Sequence, residues 1–278
     1  MEVILLLGAS LVEYGYVSGW VSRLAAHYGR RATVHNLGLS GYNSRWLLQI
    51  FQDDALLQRY LPYPLPRRAE AAGGRRPLYV TLLLGSNDCS VGAQHVPVEE
   101  YKSNLHAILG LIRTKLRPKG GIYFMTIPPI DHNKWRDAWR LAMTDRTFDG
   151  SRRYRDAMAD VVTADTRQRR DANHTQKHRD GGDVFVVDLF YAILYHGVPR
   201  AATEGSAVVY DPQAPWTRLL YDGLHVNNEG GEIFFATLLD ALRRSPYAQI
   251  IMAEHLPYVF PSFEAILAGK ATVSGSKL

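Results

Sequence analysis

Five short apolar runs, Val3 to Leu7, Thr33 to Leu37, Leu78 to Leu84, Gly121 to Ile127 and Val184 to Leu189, alternate along the chain with longer amphipathic segments. Each run is strand-sized, and the segments between them carry helical spacing around Ser18 to Tyr28, Ser44 to Tyr60, Val98 to Leu116 and Ser151 to Thr166. A last helical stretch, Glu229 to Arg243, follows the final strand. Successive strands separated by helices pair most readily in parallel, because each connection has to cross back over the sheet, normally in a right-handed sense. The order therefore predicts an α/β fold, a mostly parallel five-stranded sheet with helices on both faces. A ligand on such a sheet sits at the carboxyl ends of the strands.

At 278 residues, with 46% hydrophobic and 21% charged residues, the chain has the composition of an ordinary globular domain. We expect one catalytic domain over residues 1–245 and a C-terminal extension over residues 246–278. Two polar stretches, near 62–77 and 163–183, read as surface insertions because they concentrate Pro, Arg, Gly and charge. The Pro-containing stretch from His196 to Tyr221 reads either as a connector or as a cover over the site that follows it. The N-terminal apolar run lacks the basic start and the length of a signal peptide, and no segment approaches the roughly 20 apolar residues of a membrane span. A lone Cys89 cannot form an internal disulfide, so a reducing, intracellular compartment is expected. The net charge of +5 is scattered and accompanies no nucleic-acid motif. The densest basic stretch, Arg152 to Arg179, is interleaved with Asp156, Asp160, Asp165, Asp171 and Asp180, as on a solvated helix face or a mobile insertion.

Four short blocks stand at or just beyond expected strand ends: Gly8-Ala9-Ser10-Leu11, Asn36 to Asn43, Gly85-Ser86-Asn87-Asp88 and Asp222-Gly223-Leu224-His225. The first three follow the first three strands, and the fourth leads into the last helix, so all can meet on one sheet edge. A serine hydroxyl is a weak nucleophile until a base takes its proton, and the oxyanion formed on attack needs donors already aimed at it. Ser10 supplies the hydroxyl, His225 the base, and Asp222, close by in the same loop, a carboxylate to orient the imidazole. The backbone N–H groups of Ser10 and Gly41 and the side-chain amide of Asn87 are candidate oxyanion donors, each worth roughly 3 kcal/mol of transition-state stabilisation.

Ser10, Gly41, Asn87 and His225, in that order, resemble the four blocks of the SGNH, or GDSL, hydrolase superfamily. Within it, NLGLSGYNSRW from Asn36 to Trp46 and HVPVEEYKSNL from His95 to Leu105 resemble the isoamyl acetate-hydrolysing esterase group. The resemblance extends from about Val3 to Leu242. It implies a three-layer α/β/α flavodoxin-like fold and ester hydrolysis with neither metal nor organic cofactor. One departure stands beside the nucleophile: Ala9 occupies the place of the family's usual Asp, which puts rate and substrate in question more than reaction class.

Taken singly, every block has a bland alternative. Ser10 and Asp222 are ordinary capping residues, Asn87-Asp88 a turn, and Gly41 a backbone accommodation. Four ordered blocks that together hold nucleophile, base, orienter and oxyanion donors outweigh those alternatives. His174 and His178 have a spacing that can bind metal on a helix, but no zinc motif surrounds them, and an exposed polar segment is the better reading. Cys89 is read as space-filling, and Trp46, Trp135, Trp139 and Trp216 mostly as structural. Ser276-Lys277-Leu278 matches a peroxisomal address, so a peroxisomal import receptor and a peroxisome or glycosome are expected, with the cytoplasm the location if the signal is not read. The leading expectation is a serine esterase acting on a short-chain or small acyl ester through an acyl-enzyme. An acyl-CoA or other thioesterase, and a non-catalytic acyl-binding protein on the same scaffold, stay open at this level.

Overall fold

A computed structural model describes residues 1–64, 75–172, 181–198 and 208–269. Five strands, β1 (Glu2–Gly8), β2 (Ala32–Gly38), β3 (Tyr79–Leu83), β4 (Ile122–Met125) and β5 (Val184–Val187), form one sheet in the order β2-β1-β3-β4-β5. Every neighbouring pair is parallel. Each of the five strands falls on one of the expected apolar runs.

The three interior strands β1, β3 and β4 are covered on both faces, which is why they read as nearly continuous apolar runs rather than as alternating ones. Ile4, Leu5, Leu6 and Leu7 of β1 are fully buried, as are Val80 and Leu82 of β3. Burying each such side chain contributes about 1.5–3 kcal/mol. The edge strand β2 alternates more, with Ala32 and Val34 buried and the residues beyond half-buried.

Helices cover both faces. On one lie α2 (Trp20–His27), α8 (Leu189–Leu194) and α9 (Asn228–Arg244), introduced by the one-turn α1 (Ser10–Glu13). On the other lie α3 (Ser44–Gln52), α4 (Asp54–Tyr60), α5 (Val98–Leu111) and α7 (Phe148–Ala172), and the short α6 (His132–Ala138) follows β4. The expected single helix over Ser44 to Tyr60 is two helices. Asp53 adopts an extended conformation and its carboxylate accepts the N–H groups of Ala55 and Leu56 at 2.8 and 3.0 Å, capping α4 where α3 ends.

Part of the expected insertion near 163–183 is helical, because α7 runs on to Ala172. Arg113 anchors this end, with a two-pronged ion pair to Asp165 at 2.7 and 2.6 Å and a hydrogen bond to the Gly182 carbonyl. Of the two readings of the charged stretch from Arg152, the solvated helix face holds as far as Ala172. Residues just past 245 pack onto the sheet: Ile251 and Met252 are buried, and Tyr28 donates to the Ile251 carbonyl at 2.7 Å. Most of the stretch near 62–77, together with His174, His178 and Ser276-Lys277-Leu278, lies outside the described residues. Among the described residues no helix is long and apolar enough to cross a membrane.

The chain leaves β1 toward β2 on one side and later enters β3 on the other. The loops after β1 and β3 therefore diverge at their carboxyl ends and open a crevice between them. Ser10 follows β1 and Asn87 follows β3, so both flank that crevice.

Candidate active site

Ser10 is the first residue of α1, directly beyond β1, where the opening N–H groups of a helix have no acceptor within the helix itself. Backbone hydrogen bonds hold much of the turn that presents it. The Ala9 carbonyl accepts from Val12 and Glu13 at 3.0 and 2.9 Å, and the Gly8 carbonyl accepts from Leu39 at 2.9 Å. Ala9 is buried and provides no side-chain cap, so the support expected of an aspartate here is carried by these bonds and by Asn36. The Asn36 amide donates to the Val12 carbonyl at 2.6 Å, and its oxygen accepts the Gly38 N–H.

The loop from Tyr221 to Val226 is a tight excursion closed by the Tyr221 N–H donating to the His225 carbonyl at 2.9 Å. Within it, one oxygen of Asp222 accepts the N–H groups of Leu224 and His225 at 3.0 and 2.8 Å. Its other oxygen lies 2.7 Å from His225 Nδ1, and His225 Nε2 lies 2.8 Å from Ser10 Oγ. All three side chains are buried. Burial disfavours ionising Asp222, but the hydrogen bond and charge of His225, with the two backbone N–H groups, outweigh it and hold the carboxyl below its ordinary value. Asp222 is thus ionised at neutral pH and accepts a hydrogen bond from Nδ1–H, leaving the Nε2 lone pair to accept from the serine hydroxyl.

Gly223 lets this loop lie against the chain leaving β4. Its φ is +95°, and a Cβ there would stand 2.4 Å from both the Asp131 carbonyl oxygen and the Trp135 nitrogen. The Asp131 N–H in turn donates to the Gly223 carbonyl at 2.9 Å. The rings of Tyr14, Trp135 and Tyr221 surround the imidazole at 5.5, 6.1 and 5.7 Å between centroids.

The second and third blocks reach the same place. Gly41, at a φ of +81°, takes the left-handed conformation that glycine permits. Asn43 then starts α3, accepting the Trp46 N–H at 3.0 Å, and Ser44 N–H donates to Asp88 at 2.9 Å. Asn104, from the stretch His95 to Leu105, donates to Ser44 Oγ at 3.0 Å. The Asn87 amide donates to the Tyr42 carbonyl at 2.8 Å. Ser10, Gly41, Asn87, Asp222 and His225 all line one cavity of about 480 Å³, walled by Tyr14, Trp135, Trp139 and Tyr221. A hydroxyl, an imidazole and a carboxylate in hydrogen-bonded sequence, facing donors across a cavity, is the arrangement of a serine hydrolase.

Other candidates fall elsewhere. Cys89 is buried against the Ser86 carbonyl, and burial pushes its thiol up to about 12, which leaves it un-ionised and inert. Trp216 is buried in the core, Trp46 lies beside Tyr42 outside the cavity, and Trp135 and Trp139 line it. Among the described residues no group of three or more His, Cys, Asp or Glu is placed to hold a metal. Gln94 and Arg146, which nothing in the sequence marks, also line the cavity from outside the four blocks.

The GDSL-like Lipase/Acylhydrolase family matches residues 6–233. A GDSL esterase/lipase of Arabidopsis thaliana is 28% identical over 267 residues, covering 92% of each chain. An isoamyl acetate-hydrolyzing esterase 1 homolog of Rattus norvegicus is 33% identical over 138 residues, 48% of this chain and 50% of that protein. Among solved structures, a lipase/acylhydrolase from Enterococcus faecalis superposes with a TM-score of 0.56 at 17% identity, covering 94% of this chain and 100% of that one. The acetylxylan esterase Axe2 of Geobacillus stearothermophilus gives 0.54 at 18%, covering 87% and 94%. The fold and site define an SGNH-type serine hydrolase acting on ester bonds. The chain belongs to the GDSL-like lipase/acylhydrolase family.

Proposed function

We propose that the protein hydrolyses carboxylic esters of small acyl groups through an acyl-enzyme on Ser10. The observation that carries this reading is the unbroken hydrogen-bonded path from Asp222 through His225 to Ser10, opening into a cavity that also presents Gly41 and Asn87. His225 takes the Ser10 proton as the oxygen attacks the ester carbonyl, and the resulting imidazolium is stabilised by ionised Asp222. The N–H groups of Ser10 and Gly41 and the Asn87 amide receive the developing oxyanion. His225 then protonates the departing alcohol, and in the second half it activates water to release the acid and restore the serine.

The cavity volume of about 480 Å³ and its aromatic walls favour a compact, largely apolar acyl or alcohol portion. The names of the rat relative and of the Geobacillus structure, an isoamyl acetate-hydrolyzing esterase homolog and an acetylxylan esterase, point the same way. Turnover of p-nitrophenyl esters from acetate to octanoate tests this reading with wild type, Ser10→Ala and His225→Ala, each checked for folding by circular dichroism. Hydrolysis favouring the short esters and lost in both variants is the expected result. Full turnover in Ser10→Ala overturns the nucleophile, and preference for the longest chains overturns the substrate class.

A further inference from the structure

The three oxyanion donors sit on three separate loops, so the relative placement of Gly41 and Asn87 depends on whatever ties their loops together. Arg146, in the connection between α6 and α7, occupies that position and is buried, with a side-chain exposure of 5%. Its Nη2 donates to Asn87 Oδ1 at 3.0 Å and to Gln94 Oε1 at 2.7 Å, and its Nε donates to the Ser86 carbonyl at 2.9 Å. Gln94 Nε2 continues the path to the Gly41 carbonyl at 2.8 Å. The guanidinium is itself fixed. Its Nη1 donates to Asp145, whose other oxygen accepts Trp135 Nε1 at 2.7 Å, and its central carbon lies 4.8 Å from the Trp135 ring centre.

An asparagine amide can turn over and exchange its oxygen for its nitrogen, and only its partners decide which end faces the substrate. Arginine has donors alone, so Arg146 compels Asn87 to present its oxygen inward. The NH2 group then gives one N–H to the Tyr42 carbonyl, which leaves the other for the cavity that Asn87 lines. A cation on the amide oxygen also draws electron density from the nitrogen, which strengthens that N–H as a donor when the oxyanion forms in a site shielded from water.

We propose that Arg146 is a positioning residue for the reaction, holding the Asn87 amide, and through Gln94 the Gly41 loop, in the orientation that stabilises the oxyanion. The inference rests on the reading of Ser10 as nucleophile and extends it to a residue outside all four blocks. It places the contribution of Arg146 in the transition state and routes the larger part of it through Asn87 and the smaller part through Gln94 to Gly41.

A double-mutant cycle of Arg146→Met and Asn87→Ala, read on p-nitrophenyl acetate, tests it. Arg146→Met is expected to lower kcat roughly ten- to a hundredfold with KM changed less than about twofold, since the oxyanion donors act in the transition state. In the Asn87→Ala background the same change is expected to cost less than about threefold, because the donor it orients is gone. Arg146→Lys keeps a charge but not the fork, and falls between Arg146→Met and wild type. Should Arg146→Met fail to fold, the same cycle is run with Arg146→Lys and with Gln94→Met. Equal losses in both backgrounds, or an effect confined to KM or melting temperature, overturn the proposal while Ser10→Ala remains inactive. Full activity in Ser10→Ala overturns instead the reading beneath it, and the proposal with it.

Discussion

His225 Nε2 lies 2.8 Å from Ser10 Oγ although 215 positions separate the two residues in the chain. They meet because α9, which follows the His225 loop, packs on α2, which follows the Ser10 turn. Trp20 and Phe234 are fully buried in that contact, and Arg23 pairs with Glu232 at its edge. The hydrogen bond that activates the serine is thus the outcome of a helix–helix interface rather than of any local motif.

Asp222→Asn is predicted to abolish most activity while leaving the fold intact. The amide oxygen can still accept the Leu224 and His225 N–H groups that shape the loop. Facing Nδ1 with an NH2 group, however, favours the tautomer whose Nε2 carries the proton, and that tautomer cannot accept from Ser10. A fall in kcat of about 10⁴, with a melting temperature close to wild type, is expected from the general behaviour of such triads. Retention of kcat within about tenfold would show that Asp222 does not set the tautomer.

Gly223→Ala is predicted to damage both stability and turnover. The added Cβ meets two backbone atoms at 2.4 Å, neither of which can swing aside, and the φ of +95° is itself unfavourable for alanine. Strain of this kind costs about 1–3 kcal/mol, and relieving it moves Asp222 and His225. Chemical denaturation and kcat measured on one preparation check this. A variant matching wild type in both would mean that the loop tolerates displacement.

How much of this was legible in the sequence follows from the range of the interactions. The five strands were legible because β1 and β3 are buried on both faces and leave unbroken apolar runs, and the reactive side chains because their chemistry confines them to few residue types. The division between α3 and α4 was concealed, since Asp53 acts as a cap only once the chain turns there. The extension of α7 to Ala172 stayed open between a solvated helix face and an insertion, because its charge suits both, and the pairing of Arg113 with Asp165 is not visible in the sequence. Arg146 and Gln94 carry no local signature, because their partners Asn87 and Gly41 lie 59 and 53 positions away.

Asp88 gives the protein a predictable pH dependence. Burial pushes its carboxyl up from 3.8 to about 6, more than the hydrogen bonds from Ser44 offset, and its second oxygen accepts no hydrogen bond among the described residues. A raised acid holds its proton more tightly folded than unfolded, so the stability it contributes is fully present below pH 3.8 and is lost as pH rises through about 6. The stability of Asp88→Asn relative to wild type should therefore rise between about pH 4 and pH 7.5 by up to about 3 kcal/mol, because each unit by which the carboxyl is raised corresponds to about 1.4 kcal/mol. Urea unfolding of both proteins across this range measures the difference. A flat difference would show that Asp88 ionises normally in the folded state.

Trp139 is predicted to act on substrate and not on the fold. The residue is 56% exposed, and its ring rests 5.2 Å from that of Trp135 at the mouth of the cavity. Trp139→Ala should change folding stability by no more than about 0.5 kcal/mol. Removing an aromatic contact of about 0.5–1.5 kcal/mol should raise KM for esters long enough to reach the rim, roughly two- to tenfold, and leave p-nitrophenyl acetate unaffected. Equal changes for all esters would assign Trp139 a structural role.

The most direct test of the central claim is covalent labelling of the protein with a fluorophosphonate probe, followed by intact-mass analysis and peptide mapping. Wild type should gain one phosphonyl group on Ser10, His225→Ala should label far more slowly, and Ser10→Ala should gain none. A label on another residue, or ester turnover by a wild-type protein that takes up no label at Ser10, would contradict the assignment of Ser10 as the nucleophile.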